Sequence, residues 1–363
     1  MRGLGDACLE RWADRLRAAS AGQTPLRLCG SGSKDFYGQS PCGEIFDTRE
    51  YAGIVAYEPT ELVVTARCGT PLARLEEILA EKGQSLAFEP PHFGAGATVG
   101  GCVASGLAGP RRAQAGAVRD FVLGVKILNG QGELLNFGGQ VMKNVAGYDV
   151  SRLMAGSLGT LGLIAEVSLK VLPVAVAEQT VCFELTQDKA LDLLNRWGGQ
   201  PLPVSASAWS EDVLHVRLSG AAAAVSAASR TLGGQRVDHE DAYVFWRGIR
   251  EQQHVFFAGE VPLWRISVPS TSAVLALPGA QLIEWGGALR WMRGPDAVAD
   301  RAVRRAAEQG GGHATLFRAE QTLKAEYGVF QPLSAPLARI HRQLKHAFDP
   351  QGIFNPGRMY PEF

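Results

Sequence analysis

"GAGATVGGCVASGLAG", from Gly94 to Gly109, is the stretch on which the reading of this chain turns. Six of its sixteen residues are Gly, four are Ala, and no side chain is larger than that of Leu107. A segment stripped in this way serves one of two ends. Either its backbone bends sharply there, or something flat and bulky comes close to it; a tightly packed Gly/Ala helix–sheet contact is the structural alternative. Two further segments share the character: "GSGSKD" (Gly30 to Asp35) and "GSLGTLGLIAE" (Gly156 to Glu166). Gly/Ser loops present several backbone N–H groups to one point, which suits a phosphate. "GSGSKD" lacks the third Gly of G-x-G-x-x-G, and no stretch matches G-x-x-x-x-G-K-[ST]. Three Gly-rich segments together point to a large dinucleotide, its pyrophosphate on one loop and its flat ring against a side-chain-free wall.

The remaining composition bounds the answer. The chain has 363 residues, enough for two domains, with 46% hydrophobic and 20% charged residues. Its 36 basic and 36 acidic residues cancel, which argues against nucleic acid or an acidic membrane as the main partner. The cysteines (Cys8, Cys29, Cys42, Cys68, Cys102, Cys182) form no C-x-x-C, so no metal or iron–sulfur site is expected in this chain. They read as small buried side chains of a reducing compartment. The N-terminus reads as an amphipathic helix carrying Leu9, Trp12, Leu16 and Ala19 on one side, and not as a signal peptide. No apolar run is long enough to cross a membrane. A cytoplasmic location is expected, with any contact with the inner membrane made through a complex.

Local patterns place the segments. "PLRLC" is a short strand entering the first loop, and "GIVAYEPTELVVTARCG" reads as strand, turn and strand. "TPLARLEEILAEKG" is a helix with Thr70 as cap, Pro71 in the first turn and Gly83 after its end. "SLAFEPP" is expected as a strand, and "DFVLGVKILNGQGELLNFGG" as a hairpin turning at Asn129–Gly132. "GLIAEVSLKVLP" is another strand. From about 175 to 320, strands ("VSASAWS", "LHVRLSG", "LWRISVPS", "QLIEWGG", "ALRWMRG") alternate with helices, and six of the seven tryptophans lie there, expected in the core. A helix and a Pro/Gly-rich tail close the chain.

"GATVGGCVASGLAGPRRAQAGAVRDFVLGVKILNGQGELLNFGG", followed by "KNVAGYDVSRLMAGSLGTLGLIAEVSLKVLP" and by "FDPQGIFNPGR" near the end, closely resembles the vanillyl-alcohol-oxidase-type (PCMH-type) FAD-binding flavoproteins. Within that family the chain is most similar to the FAD-linked 2-hydroxy-acid dehydrogenases. Its short length and "MKNVAGYDVSRL" most resemble the smaller flavin-binding subunits of bacterial glycolate oxidase complexes. The resemblance implies an α+β fold: a PCMH-type FAD-binding domain of two subdomains over 1–173, an antiparallel-sheet α+β cap over 174–330 with helices on one side, and a segment 331–363 packing back on the first domain. It implies FAD as cofactor. Gly30, Ser31, Gly32, Ser33 and Lys34 would form the pyrophosphate loop, and Thr98, Val99, Gly100 and Gly101 would match the T-[VI]-G-G that lies along the FAD, with Gly100 and Gly101 facing the flavin. Pro90, Ser105, Gly106, Gly159 and Ile164 would complete the cofactor surface, and Asn355 and Arg358 would fold back near the ring. The loop lacks the His of the G-G-G-H found where the flavin is covalent, so FAD is expected to be non-covalent.

Oxidising a 2-hydroxy acid needs a cation for the carboxylate and a base for the hydroxyl proton. Where the catalytic relatives place an Arg, this chain has Met142. Their H-x-G-D-G-N-x-H motif has no counterpart, and their S-G-E-H-G-I-G is matched only by "GGGHATLFRAE", which leaves His313 out of register. Arg290, Arg293 and Arg318 are the alternative cations, while Tyr148 and Asp149 are expected to fix a local turn. His215, His239, His254, His341 and His346 are scattered. No catalytic residue is assigned. The resemblance implies a subunit of a glycolate-oxidising complex, beside a catalytic flavoprotein subunit and an iron–sulfur subunit, with a small 2-hydroxy acid such as glycolate reached through the complex. An autonomous FAD-dependent dehydrogenase and a scaffold without its own redox role are the alternatives.

Overall fold

The computed structural model describes residues 4–139, 149–294 and 299–363. The readings made of Met142 and Tyr148 therefore lie outside the described residues. The opening helix, Leu4–Gly22, buries Leu9, Trp12, Leu16 and Ala19, as the 3.6-residue spacing requires. After it, Leu26–Cys29 pairs in parallel with Glu44–Asp47, and the first Gly/Ser loop lies in the crossover between them. The far end of the chain docks on the first of these strands: Leu26 N–H donates to Ile353 O at 2.7 Å, and Asn355 N–H to Leu26 O at 2.9 Å.

A five-stranded antiparallel sheet follows, ordered Ile54–Glu58, Val63–Arg67, Leu163–Lys170, Val122–Leu128, Leu134–Gly138. The central strand is buried at every residue but its last, because elements cover both of its faces, whereas the edge strand Leu134–Gly138 is exposed at alternate positions. The hairpin turns where the sequence predicts, and Asn129 is the reason: its Oδ1 accepts the N–H groups of Gln131 and Glu133. Beside this sheet the helix Leu72–Ala80 buries Leu72, Leu75 and Leu79 completely, about 1.5–3 kcal/mol of burial for each.

Three local expectations are corrected here. Thr70 is not the helix cap; its hydroxyl bonds the Gly53 N–H and Arg67 O, and Pro71 takes the cap position. "SLAFEPP" is not a full strand. Only Gln84–Ser85 pairs, because Glu89 turns the chain at φ +48° ahead of two prolines that have no N–H to pair. The Gly/Ala stretch is not a loop throughout: Val99–Ser105 is a helix, capped by the Thr98 hydroxyl and ended by Gly106 at φ +63°.

The second unit is an eight-stranded antiparallel sheet running from Gln235–Arg236 at one edge to His313–Arg318 at the other. Helices lie on both of its faces, not on one. Val181, Leu214, Val216 and Ile283 meet the helices Gln187–Gly198 and Ala222–Leu232, and Ile266 and Met292 meet Ala299–Gln309. The opposite face receives the helix His239–Arg250 and the first unit. Strand alternation makes both faces apolar, so both must be covered. Trp209, Trp246, Trp264, Trp285 and Trp291 are buried core, and Trp197 is half-buried. No helix among the described residues is long and apolar enough to cross a membrane, and no cluster of metal-ligating side chains occurs among them. All six cysteines are free; Cys42 is exposed, so it is not the small core residue expected.

Candidate cofactor site

The strand Leu26–Cys29 delivers the chain into the loop marked for a phosphate. Gly30 is required by crowding: a Cβ there would stand 2.5 Å from Thr98 Oγ1. Gly32 adopts φ +76°, a conformation that Gly takes without strain. The N–H groups of Gly30, Ser31, Gly32 and Lys34 find no acceptor among the described residues, and Ser33 N–H reaches only Ser31 Oγ, at 3.4 Å. Such a row of unspent donors is what a diphosphate binds. The helix Val99–Ser105 offers nothing similar. Its first N–H groups are already taken by Thr70 O, Cys68 O and Thr98 Oγ1.

The loop is braced from behind by the end of the chain. Asn355 accepts the Leu28 N–H at 2.8 Å and donates to Leu158 O at 2.7 Å. Arg358, 5% exposed, donates to the carbonyls of Lys34, Asp35 and Gln39. Burial lowers its pKa to about 10, and it remains charged at neutral pH. These two residues therefore hold the loop and line the cleft, Arg358 at its donor-rich end and Asn355 in both halves. The tail itself is pinned by Lys345, whose ammonium donates to Thr160 O, Phe354 O and Asp349 Oδ2 at 2.7–2.8 Å.

The cleft begins at this loop and continues past Gly101 and Ala104 to an apolar half formed by Leu28, Leu158, Leu163 and Ile164. A polar, donor-rich end joined to an apolar groove fits FAD: diphosphate at one end, a flat ring system in the other. Of the residues singled out in the sequence, Gly30, Ser31, Gly32, Ser33, Lys34, Thr98, Gly100, Gly101, Ser105, Gly159 and Ile164 line it. Pro90, Val99 and Gly106 do not. Pro90 is buried elsewhere, Val99 is fully buried in the hydrophobic core, and Gly106 backs onto Gly156, 2.9 Å from where its Cβ would be. Gly100 lines the cleft by its backbone alone, since a Cβ would strike Cys68 Cβ at 2.7 Å. The Gly/Ala stretch divides residue by residue: Gly100, Gly106 and Gly109 are packed closely against Cys68, Gly156 and Glu89, and Gly101, Ala104 and Ser105 face the cleft.

Toward the eight-stranded sheet the cleft loop leads into packed aromatic rings. Phe36 lies 5.3 Å from Phe93 and 5.4 Å from Phe317, and Phe317 lies 5.1 Å from Tyr37 and 5.0 Å from Trp291. Of the cations weighed for a substrate, Arg290 is spent elsewhere, Arg293 stands beside Gly259, and Arg318 lies over the Phe36 ring, 5.3 Å from its centroid. Arg290 is fully buried on the other face of the sheet, donating to Gly287, Ser272 and Ala273 carbonyls. Arg318 donates to Gln252. His313 is exposed on the edge strand opposite Ser267. Asp149 caps the helix Val150–Leu153, the local role expected of it.

Sequence reading missed the residues that join the two units. Arg217 donates to both carboxylate oxygens of Glu89, and Glu251 accepts the N–H groups of His92 and Phe93. Glu89 carried a signal, a charge inside an apolar run; Glu251 carried none. His215 and His254, scattered in sequence, meet on either side of Phe245, with ring centroids at 4.0 and 5.5 Å. Arg112 and Arg265 both lie over the Trp285 ring, 4.7 and 5.2 Å from its centroid.

Comparison with known proteins agrees with this geometry. Residues 9–138 match the model of the FAD binding domain family. The chain is 50% identical over 349 residues to the glycolate oxidase subunit GlcE of Escherichia coli, covering 96% of each chain. It is 30% identical over 169 residues to the glycolate oxidase subunit GlcD of Bacillus subtilis, 46% of this chain and 36% of that one. In fold it is similar to alkyldihydroxyacetonephosphate synthase, with a TM-score of 0.63 at 14% identity, covering 95% of this chain and 73% of that one. An identity of 50% along nearly the whole of both chains leaves one conclusion: this chain belongs to the family of glycolate oxidase subunits built on an FAD-binding domain.

Proposed function

We propose that the chain is the FAD-bearing, non-autonomous subunit of a glycolate-oxidising complex. It works beside a catalytic flavoprotein subunit and an iron–sulfur subunit, and glycolate is converted to glyoxylate by the assembly. The observation that carries this reading is an asymmetry. The cofactor side has an unspent donor set and an apolar groove, while Arg290 is turned to the far face of the sheet and aromatic rings, not a cluster of substrate-binding charges, pack beside the cleft. FAD supplies a two-electron acceptor when bound. The chain's own residues then bind its diphosphate (Gly30–Lys34), hold that loop in shape (Asn355, Arg358) and exclude water beside it (Phe36, Phe93, Phe317). Attachment is non-covalent. The thiols that line the cleft, Cys29 and Cys68, are kept protonated, Cys29 by burial and by Asp35 and Cys68 by burial, and a neutral thiol is a poor nucleophile.

The test is to load the purified chain with FAD and add glycolate without oxygen while following the flavin absorbance. The flavin is expected to stay oxidised until the partner subunits are added. Bleaching at a catalytic rate by the chain alone would favour an autonomous dehydrogenase. One observation favours that second reading: the Arg265 side chain makes no hydrogen bond or ion pair among the described residues and lies over Trp285, whose indole donates to Gly109 O in the first unit. Arg265→Met would then abolish the bleaching. Failure to retain FAD would leave a scaffold role.

A further inference from the structure

Lys34 stands where two networks meet. Lys34 lines the cleft, and its ammonium donates to the carbonyl of His92 at 3.2 Å. The N–H groups of His92 and Phe93 both donate to one oxygen of Glu251, each at 3.0 Å. The other oxygen of Glu251 accepts from Arg250 Nε at 2.8 Å. Glu251 follows the helix His239–Arg250, which packs on the eight-stranded sheet, and its side chain is only 9% exposed. Phe93 is held at φ +52°, unfavourable for a bulky residue, with its ring against Phe36. One strained segment is thus gripped on its carbonyl by the cation of the cleft and on its N–H groups by a carboxylate of the second unit.

An ammonium prefers an ionised diphosphate to a neutral carbonyl. Glu251 attracts the same ammonium, whereas Asp35, the acid on the loop itself, is paired with Arg27. We propose that Glu251 is a positioning residue for the cofactor: it competes with the FAD diphosphate for Lys34, so that loading FAD and gripping the His92–Phe93 segment are coupled. This rests on the cleft being the FAD site. The coupling makes the docking of the second unit responsive to whether FAD is bound, through a residue distant from the cofactor loop in sequence.

A double-mutant cycle on the full chain tests it, using Lys34→Met, Glu251→Gln and the pair. Two quantities are read: the FAD dissociation constant, from flavin fluorescence, and amide exchange at His92 and Phe93 with and without FAD. Lys34→Met is expected to weaken FAD about tenfold or more, the scale of a hydrogen bond to a charged group, and Lys34→Arg to restore most of the loss. Glu251→Gln keeps an acceptor for both N–H groups and removes the charge. It is expected to tighten FAD about threefold, and to do nothing in the Lys34→Met background. FAD should change exchange at His92 and Phe93 in the parent and not in Lys34→Met. Additive effects on affinity, or exchange indifferent to FAD in the parent, overturn the coupling while leaving the cleft as the FAD site. A Lys34→Met chain that binds FAD as tightly as the parent overturns both.

Discussion

Arg217 and Glu89 form a two-point bridge between the units: one guanidinium nitrogen lies 2.8 and 2.9 Å from the two carboxylate oxygens. The Arg217 side chain is 6% exposed and Glu89 is 21% exposed, and the guanidinium lies over Trp246 as well. Glu89 also accepts the N–H of Arg111, so the bridge ties together the segments before and after the Gly/Ala stretch. Removing one partner of a buried pair leaves the other uncompensated. Arg217→Met should cost about 3 kcal/mol, read as a lower urea midpoint. Adding Glu89→Gln to it should recover part of the loss, because the stranded charge is gone. A midpoint that Arg217→Met leaves unmoved would show that the bridge contributes nothing net.

Gly100 and Gly101 separate packing from binding. Gly100→Ala places a Cβ 2.7 Å from that of the buried Cys68. It should destabilise the chain by about 1–3 kcal/mol with or without FAD, as overpacking does. Gly101→Ala meets only Thr98 Oγ1, at 3.2 Å, and projects into the cleft. It should leave the melting temperature of the FAD-free chain nearly unchanged and weaken FAD binding. Comparing melting curves and FAD titrations of the two variants decides the assignment. Equal losses of FAD affinity at equal stability would contradict it.

Glu284 makes stability depend on pH. Burial raises its carboxyl pKa from 4.5 to about 7, although it accepts the Trp291 indole N–H at 2.7 Å. Because the folded-state value lies above the unfolded one, the folded chain holds the proton between those two values. This group's contribution is therefore fully present below pH 4.5 and is lost as the pH rises through about 7. Glu284→Gln keeps the indole acceptor without the charge. It should match the parent at low pH and exceed it above pH 7 by roughly 3 kcal/mol. Denaturation midpoints at pH 5 and pH 8 supply the comparison, and parallel pH profiles would refute the assignment.

Lys345 ties the tail to the cofactor loop at one remove. Its ammonium is shared among Thr160 O, Phe354 O and Asp349, whose side chain has no exposure. Lys345→Met strands that carboxylate and should cost about 3 kcal/mol. It should also weaken FAD, because Asn355 and Arg358 lose the anchor that holds them on the loop. If FAD affinity stayed constant while stability fell, the tail would be a structural clasp with no influence on the cleft.

The sequence by itself determined the local and chemical content. Spacing fixed the faces of the helices Leu4–Gly22 and Leu72–Ala80, Asn129 fixed a hairpin, and three Gly-rich segments marked a dinucleotide surface, because these features depend on backbone freedom and periodicity within a few residues. Tertiary structure alone decided which glycines serve packing. That depends on what stands opposite each one, such as Cys68 for Gly100 or Glu89 O for Gly109. Register decided the fate of the candidate cations, since pairing Arg290 with Ile283 and Ile266 turns it to the face away from the cleft. The bridges Arg217–Glu89 and Glu251–Phe93 span contacts 128 and 158 residues apart in sequence. No local pattern encodes such pairs; they exist only once two independently patterned units bury their faces against each other.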